Sequence, residues 1–217
     1  MKIRAMIFDL DGTLLDSLGM WSELVSRFLR EFGIDPPEGI DEEVKPMTVE
    51  EACAYIVARF SLPITAEEAV RTVSERAAKA YLEELPLKPD AKRFLQTASE
   101  KGIPCALATV TYPALLPAAL KRLGIADCFQ AVLTADDFPE GKTEPEMYLE
   151  AARRLGAAPA ETLVFEDALY AAKTAKAAGF PVVGIRDVTA EPEWTELEQI
   201  CDRTADSWAE LLKIWTE

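Results

Sequence analysis

No histidine occurs anywhere in the 217 residues. That absence removes the usual general base of neutral-pH catalysis, the commonest zinc ligand and any triad built around imidazole. Chemistry performed by this chain falls to carboxylates, hydroxyls, lysine or thiol. Cysteine is sparse as well. Cys53, Cys105, Cys128 and Cys201 stand far apart with no Cys-x-x-Cys pair, and they read as small buried residues of a reduced protein. Basic charge is in deficit, with 23 lysines and arginines against 38 aspartates and glutamates. The net charge of −15 would repel the phosphates of nucleic acid or of an anionic membrane, so neither is an expected partner. No apolar run is long enough to span a bilayer, and the run after Lys2 and Arg4 is too short for a signal peptide. Low-complexity stretches and internal repeats are missing too. The expectation is a soluble cytoplasmic protein, a monomer by default, whose partner is a small molecule.

What is present is an ordinary globular composition, 49% hydrophobic and 28% charged, of a length suited to one or two domains. The chain is organised around Met6-Ile7-Phe8-Asp9-Leu10-Asp11-Gly12-Thr13-Leu14-Leu15-Asp16-Ser17. Ile3, Ala5, Met6, Ile7 and Phe8 make an apolar run short enough for a strand covered on both faces, and Gly12 permits the abrupt turn that ends it. As the strand opens into a loop, Asp9 and Asp11 could both face one small volume. A cation between them could hold both ionised, or one could keep a proton. One carboxylate would then be free to attack an electrophile and the other to shuttle a proton. Asp11 or Asp16 would equally serve as an N-cap of the helix that follows.

From Ser17 to Gly33 the spacing of Leu18, Trp21, Leu24, Val25, Phe28, Leu29 and Phe32 predicts a helix ended by Gly33. Thr48 with Glu50-Glu51 and Thr65 with Glu67-Glu68 open two more helices, the first stopping before Pro63 and the second running through Leu82. From Pro86 onward helices and strands alternate. Helices are expected over 90–101, 113–123, 145–155, 169–178 and 206–215, and strands over 103–109, 131–134, 162–165 and 181–185. Such alternation implies a parallel sheet with helices on both faces. The strand over 3–8 belongs by character to that sheet. The economical arrangement is an open α/β core of residues 1–16 and 86–217 interrupted by an all-α cap of residues 17–85. In such sheets ligands sit outside the carboxyl ends of the strands.

Three further strand ends carry suitable groups. Cys105–Ala108 ends at Thr109, with Val110 and Thr111 behind it, where a hydroxyl and backbone N–H groups can hold phosphate oxygens. A strand-terminal Thr also suits β-structure or a helix cap. Gly141-Lys142-Thr143-Glu144-Pro145 follows the next strand, and an ammonium there can sit beside a phosphate and the aspartates, although most lysines are on surfaces. Thr162–Phe165 ends in Glu166-Asp167. An acidic pair at the end of an apolar strand would join Asp9 and the backbone carbonyl of Asp11 as the hard oxygen ligands that Mg²⁺ prefers.

Asp9-Leu10-Asp11-Gly12-Thr13-Leu14-x-Asp16-Ser17, Thr109, Lys142 and Glu166-Asp167, in this order, resemble the four signatures of the haloacid dehalogenase-like hydrolase superfamily. Gly141-Lys142-x-x-Pro145-Glu146-x-Tyr148-Leu149 and the stretch from Val164 through Ala177-Ala178-Gly179 look like its β-phosphoglucomutase and phosphoglycolate phosphatase branch. The resemblance implies a Rossmann-like core with a helical cap and a Mg²⁺-dependent phosphatase acting on a small phosphorylated metabolite. Asp9 is then the nucleophile that becomes a phosphoaspartate, and Asp11 the general acid and base. Thr109, Val110 and Lys142 bind phosphate, Asp9, Asp11, Glu166 and Asp167 hold the metal, and Trp21 and Lys45 are candidates to face the substrate from the cap. Trp21 is equally well explained as core of its own helix. Ala168, Ala171 and Thr143 stand where the family often has Ser, Gly and Pro, which should alter loop shape more than metal binding. A sugar-phosphate mutase is the alternative, disfavoured by Trp21 and Val49 where β-phosphoglucomutase has histidine and arginine. Dehalogenation has no use for Asp11 and an acidic metal motif. Phosphonate cleavage would need a Schiff-base lysine, for which Lys45 is the candidate by location. A non-catalytic phosphate-binding protein of the same fold should have lost one of the carboxylates.

Overall fold

The computed structural model describes residues 3–44, 47–187 and 191–216. The chain divides into two compact units, Met1–Ser17 with Leu85–Glu217, and Leu18–Glu84. The larger is built on strands β1 (Ala5–Phe8), β2 (Cys105–Ala108), β3 (Ala131–Leu133), β4 (Thr162–Glu166), β5 (Val182–Ile185) and β6 (Arg203–Ala205). They form one sheet in the order β3-β2-β1-β4-β5-β6, parallel throughout. Every residue of β1, β2, β4 and β5 is buried, which is why these strands read as unbroken apolar runs instead of alternating ones. The order turns back at β1, with β2 and β3 to one side and β4 to β6 to the other. That reversal opens a crevice at the carboxyl ends of β1 and β4.

The smaller unit is all-helical: α1 (Leu18–Ser22), α2 (Leu24–Glu31), α3 (Ile40–Val44), α4 (Val49–Phe60) and α5 (Ala66–Lys79), the last running on into a wider π-type turn over Ala80–Glu84. Phe28, Leu29, Ile40, Ile56, Ala69 and Val73 fill its core. Thr48 and Thr65 each close a reciprocal capping box, with Glu51 and Glu68. The single helix expected from Ser17 to Gly33 is two helices, broken at Glu23 (φ −118°, ψ 10°). The break has a cause distant in sequence. Asp41 accepts the backbone N–H of Val25 at 2.9 Å and of Ser26 at 3.1 Å, together with the Ser26 hydroxyl, and so caps the start of α2.

Helices α6 (Ala91–Glu100), α7 (Leu116–Leu123), α8 (Glu146–Arg154), α9 (Leu169–Ala177), α10 (Glu191–Ile200) and α11 (Trp208–Thr216) complete the larger unit. Alternation along β1 divides its packing. Ala5 and Ile7 join Met147, Tyr148, Ala151, Leu169 and Ala172 of α8 and α9 in one core cluster. Phe8 stacks on Phe165 at 4.7 Å between ring centroids, and Phe94 of α6 and Trp208 of α11 close around that pair. The segment 186–205, left without structure by the sequence pattern, contains α10 and the short edge strand β6. Where the helical unit leaves and rejoins, the chain is stitched to itself. Asp16 N–H donates to Pro86 C=O at 3.0 Å, Lys88 N–H to Leu14 C=O at 2.8 Å, and Leu15 bridges Leu87. Among the described residues no helix is long and apolar enough to cross a membrane.

Candidate active site

Asp9 leaves the end of β1 still in register, its N–H donating to Phe165 C=O at 3.0 Å. The chain then turns tightly: Leu14 and Leu15 N–H both return to Leu10 C=O, and Gly12, at φ +85°, donates to Leu15 C=O. A side chain at Gly12 would be strained, so this loop needs glycine. Trp208 Nε1–H donates to Thr13 C=O at 3.0 Å and holds the loop against the aromatic core.

The ends of β1 and β4 and the loop between β3 and α8 deliver charged groups to this point, and the side chains of Asp9, Lys142, Glu166 and Asp167 are all buried there. Lys142 Nζ donates to Asp9 Oδ1 and, at 2.6 Å, to Glu166 Oε1. Tyr148 Oη–H donates to the same Glu166 oxygen at 2.7 Å. Glu166 Oε2 is buried and has no hydrogen-bond partner among the described residues. Asp167 Oδ1 accepts from Thr13 Oγ1 at 2.9 Å. Asp9, Glu166 and Asp167 each present an oxygen such that all three lie within 4.8 Å of one another.

Burial, opposed by Lys142 and reinforced by Glu166, Asp167 and Asp11, raises the Asp9 pKa well above the carboxylate range. Burial and the Glu166 charge push Asp167 up to about 7 against the Thr13 hydrogen bond. Burial also works against the Lys142 ammonium, but Asp9 and Glu166 outweigh it and hold its pKa above the ordinary lysine value. With all three carboxylates ionised, the one ammonium leaves two negative charges uncompensated, the complement of a single divalent cation that would replace the retained protons. The unsatisfied Glu166 oxygen and an all-oxygen donor set fit a hard ion such as Mg²⁺.

Asp11, expected to serve the metal through its backbone carbonyl, has its carboxylate outside the group of three. Its Oδ1 accepts from Ser17 Oγ at 2.6 Å and its Oδ2 from Thr111 Oγ1. Thr109, buried at the end of β2, has its Oγ1 2.7 Å from Thr111 Oγ1 and accepts the Thr111 N–H at 3.1 Å. Val110 is half exposed. Gly141, at φ +55°, brings the Lys142 loop so close that a Cβ there would stand 3.1 Å from Val110 Cγ1. Trp21 lies in the helical unit, where its Nε1–H donates to Tyr81 Oη at 3.2 Å. Lys45 lies outside the described residues. Thr13, Ser17, Thr111 and Tyr148 stand within or beside the motifs, and the sequence alone assigns them no part in the site. Each is tied to a carboxylate here.

A family model for haloacid dehalogenase-like hydrolases matches residues 3–179. Hexitol phosphatase A of Escherichia coli (strain K12) is 29% identical over 202 residues, covering 92% of this chain and 91% of that protein. A phosphorylated carbohydrates phosphatase of Thermotoga maritima is 28% identical over 177 residues, 82% of each. Among solved structures, a mutant of CbbY from Rhodobacter sphaeroides in complex with xylulose-1,5-bisphosphate aligns with a TM-score of 0.71 at 26% identity over 96% of both chains. The match runs from β1 through α9 and takes in every strand end that carries the carboxylates, the lysine and the threonine. The chain belongs to the haloacid dehalogenase-like hydrolases.

Proposed function

We propose that this protein is a Mg²⁺-dependent phosphatase that hydrolyses a small phosphorylated carbohydrate or polyol through a phosphoaspartate on Asp9. The observation that carries the reading is the buried meeting of Asp9, Glu166 and Asp167 around Lys142, with Glu166 Oε2 left without a partner among the described residues. The substrate class follows the relatives, which are named for phosphorylated carbohydrates and hexitols. The four free thiols suit a reducing compartment, which is the basis for proposing a cytoplasmic site of action.

Asp9, Glu166 and Asp167 would hold the ion with their carboxylates, and Asp11 with its backbone carbonyl. When bound, the ion offsets the repulsion between an anionic nucleophile and an anionic phosphoryl group. Asp9 attacks phosphorus, and the bond from phosphorus to the ester oxygen breaks as Asp11 gives that oxygen a proton. The Lys142 ammonium and the Thr109 hydroxyl neutralise charge on the phosphoryl oxygens. Asp11, now a base, takes a proton from the water that attacks phosphorus and frees Asp9 and inorganic phosphate. Ser17 and Thr111 hold the Asp11 carboxylate for both steps.

Asp9→Asn is expected to abolish release of phosphate from p-nitrophenyl phosphate and from a panel of sugar and polyol phosphates. EDTA should silence the wild-type protein until Mg²⁺ is returned. Undiminished turnover by Asp9→Asn would rule out a nucleophile at that position.

A further inference from the structure

Two tyrosines stand beside the acid cluster, and only one has committed its hydroxyl. Tyr148 Oη–H donates to Glu166 Oε1 at 2.7 Å. Tyr170, on the first turn of α9 and three residues after Asp167, has no hydrogen-bond partner for its hydroxyl among the described residues. That turn is fixed against the Lys142 loop, because the Thr174 hydroxyl shares its one proton between Tyr170 C=O at 3.1 Å and Thr143 C=O at 3.3 Å. Tyr170 is 48% exposed, whereas Asp9, Lys142, Glu166 and Asp167 are buried, so its ring stands on the solvent side of the cluster. Its hydroxyl still feels all four charges. Burial, opposed by Lys142 and reinforced by Glu166, Asp9 and Asp167, raises the Tyr170 pKa above the ordinary phenol value. At neutral pH the group is an uncharged donor whose proton no protein acceptor among the described residues takes.

The direction of attack fixes where the leaving group lies. With Asp9 as nucleophile, its carboxylate oxygen, phosphorus and the ester oxygen stand roughly in line. Asp9 is buried at the end of β1, so the ester oxygen and the carbon chain behind it lie on the solvent side of phosphorus. Tyr170 makes no hydrogen bond to Lys142 or to the carboxylates and stands outside them, on that same side. We infer that Tyr170 is a specificity-determining residue whose hydroxyl donates to a hydroxyl of the leaving group, so that the site selects esters of polyols over esters of plain alcohols. The inference rests on the phosphatase reading given above and narrows its substrate class. A neutral polyol hydroxyl accepts the phenol proton without adding charge, whereas a second anionic group would be repelled by the carboxylates nearby. A bare alkyl chain displaces water from the phenol and offers it no acceptor in return, and that unpaired donor is what separates the two kinds of ester.

The test sets glycerol 3-phosphate against propyl phosphate, two monoesters of equal chain length that differ in whether the chain carries hydroxyls. Phosphate release in the presence of Mg²⁺ is measured for the wild-type protein and for Tyr170→Phe, which removes the hydroxyl and keeps the ring. No hydrogen bond among the described residues is lost in that variant, so the fold is not at stake. The wild-type protein should favour glycerol 3-phosphate in kcat/KM by about 10-fold or more. Tyr170→Phe should raise KM for glycerol 3-phosphate by about 5- to 10-fold, the worth of one neutral hydrogen bond, with kcat within about 2-fold, and should change either constant for propyl phosphate by less than about 2-fold. An unchanged preference in Tyr170→Phe would remove the hydroxyl from substrate contact and overturn the inference. Equal losses on both esters would assign it to the phosphoryl group or the metal and overturn the inference as well. So would a wild-type protein without preference between the pair, or one that cleaves p-nitrophenyl phosphate but neither of them. A wild-type protein that cleaves none of the three esters overturns the phosphatase reading and this inference together.

Discussion

At the scale of single residues, the carboxylates that could hold a metal are themselves held by neutral hydroxyls. Thr13 donates to Asp167 at 2.9 Å and Tyr148 to Glu166 at 2.7 Å, both fully buried. Such outer partners fix ligand orientation, and their loss typically lowers metal affinity by about 10- to 100-fold. Thr13→Val and Tyr148→Phe keep shape and remove the donor, so each is expected to weaken Mg²⁺ binding by roughly 10-fold while the fold survives. Titration calorimetry on the metal-free variants would read this directly, and unchanged affinity in both would remove the hydroxyls from any role in the metal site. These residues also mark where sequence reasoning stopped. Asp9, Thr109 and Glu166-Asp167 stood out because each ends an apolar strand, and Lys142 because it stands in the loop between a strand and a helix, on the side of the sheet where strand ends point at one crevice. Thr13 meets Asp167 across 154 positions and Thr111 meets Asp11 across 100. A lone threonine has no spacing that announces such a partner. The Asp11 carboxylate could be placed near the metal by its position after Asp9, but its hydroxyl partners could not be read.

At the scale of elements, legibility followed locality. Helices α4 and α5 announce themselves because the signal is complete within four residues, a threonine cap answered by a glutamate that reaches back to the cap N–H. Thr48→Ala and Thr65→Ala should each cost about 1 kcal/mol, since each leaves first-turn N–H groups without their side-chain acceptor. Denaturation followed by far-ultraviolet circular dichroism measures that cost. An unchanged midpoint in the double variant would mean that tertiary packing alone holds both helix starts. The break at Glu23 is legible only in three dimensions, because the acceptor that starts α2 is Asp41 from α3. Strand β6 was missed for a related reason. It is a three-residue edge strand with Arg203 exposed, and its pairing with β5 is supported from outside by Asp202, which accepts Val182 N–H at 2.7 Å and the Lys176 ammonium. The central strands, by contrast, are legible because burial on both faces makes their middles unbroken apolar runs, with polar residues in β4 only at its two ends.

At the scale of the whole molecule, the crowded carboxylates make stability depend on pH in a window set by their own shifts. Asp167 has a folded-state pKa of about 7, raised from 3.8, and Asp9 is raised too. The folded protein therefore keeps protons that the unfolded chain has released. That contribution to stability is full below pH ~4 and is lost as pH rises through ~7, a change on the order of 4 kcal/mol for Asp167. Lys142 carries the opposite charge and a raised pKa, so its contribution fails only above the ordinary lysine range near pH 10 and leaves this window untouched. Asp202 also lies outside it. Burial opposes its ionisation, but Lys176 and the Val182 N–H prevail and lower its pKa, so its contribution is lost only as pH falls below ~4. The metal-free protein in EDTA is accordingly expected to lose urea resistance steadily between pH 5 and 8. A divalent cation that replaces those protons should restore most of the loss at pH 8 and add little at pH 5, where protons already compete for the same oxygens. Asp167→Asn should flatten the fall and shrink the Mg²⁺ effect, with sodium chloride at matched ionic strength separating site binding from general screening of the −15 net charge. A stability profile that is level from pH 5 to 8 in EDTA, or a Mg²⁺ effect equal at both ends, would mean that these carboxylates do not share one crowded, cation-seeking site.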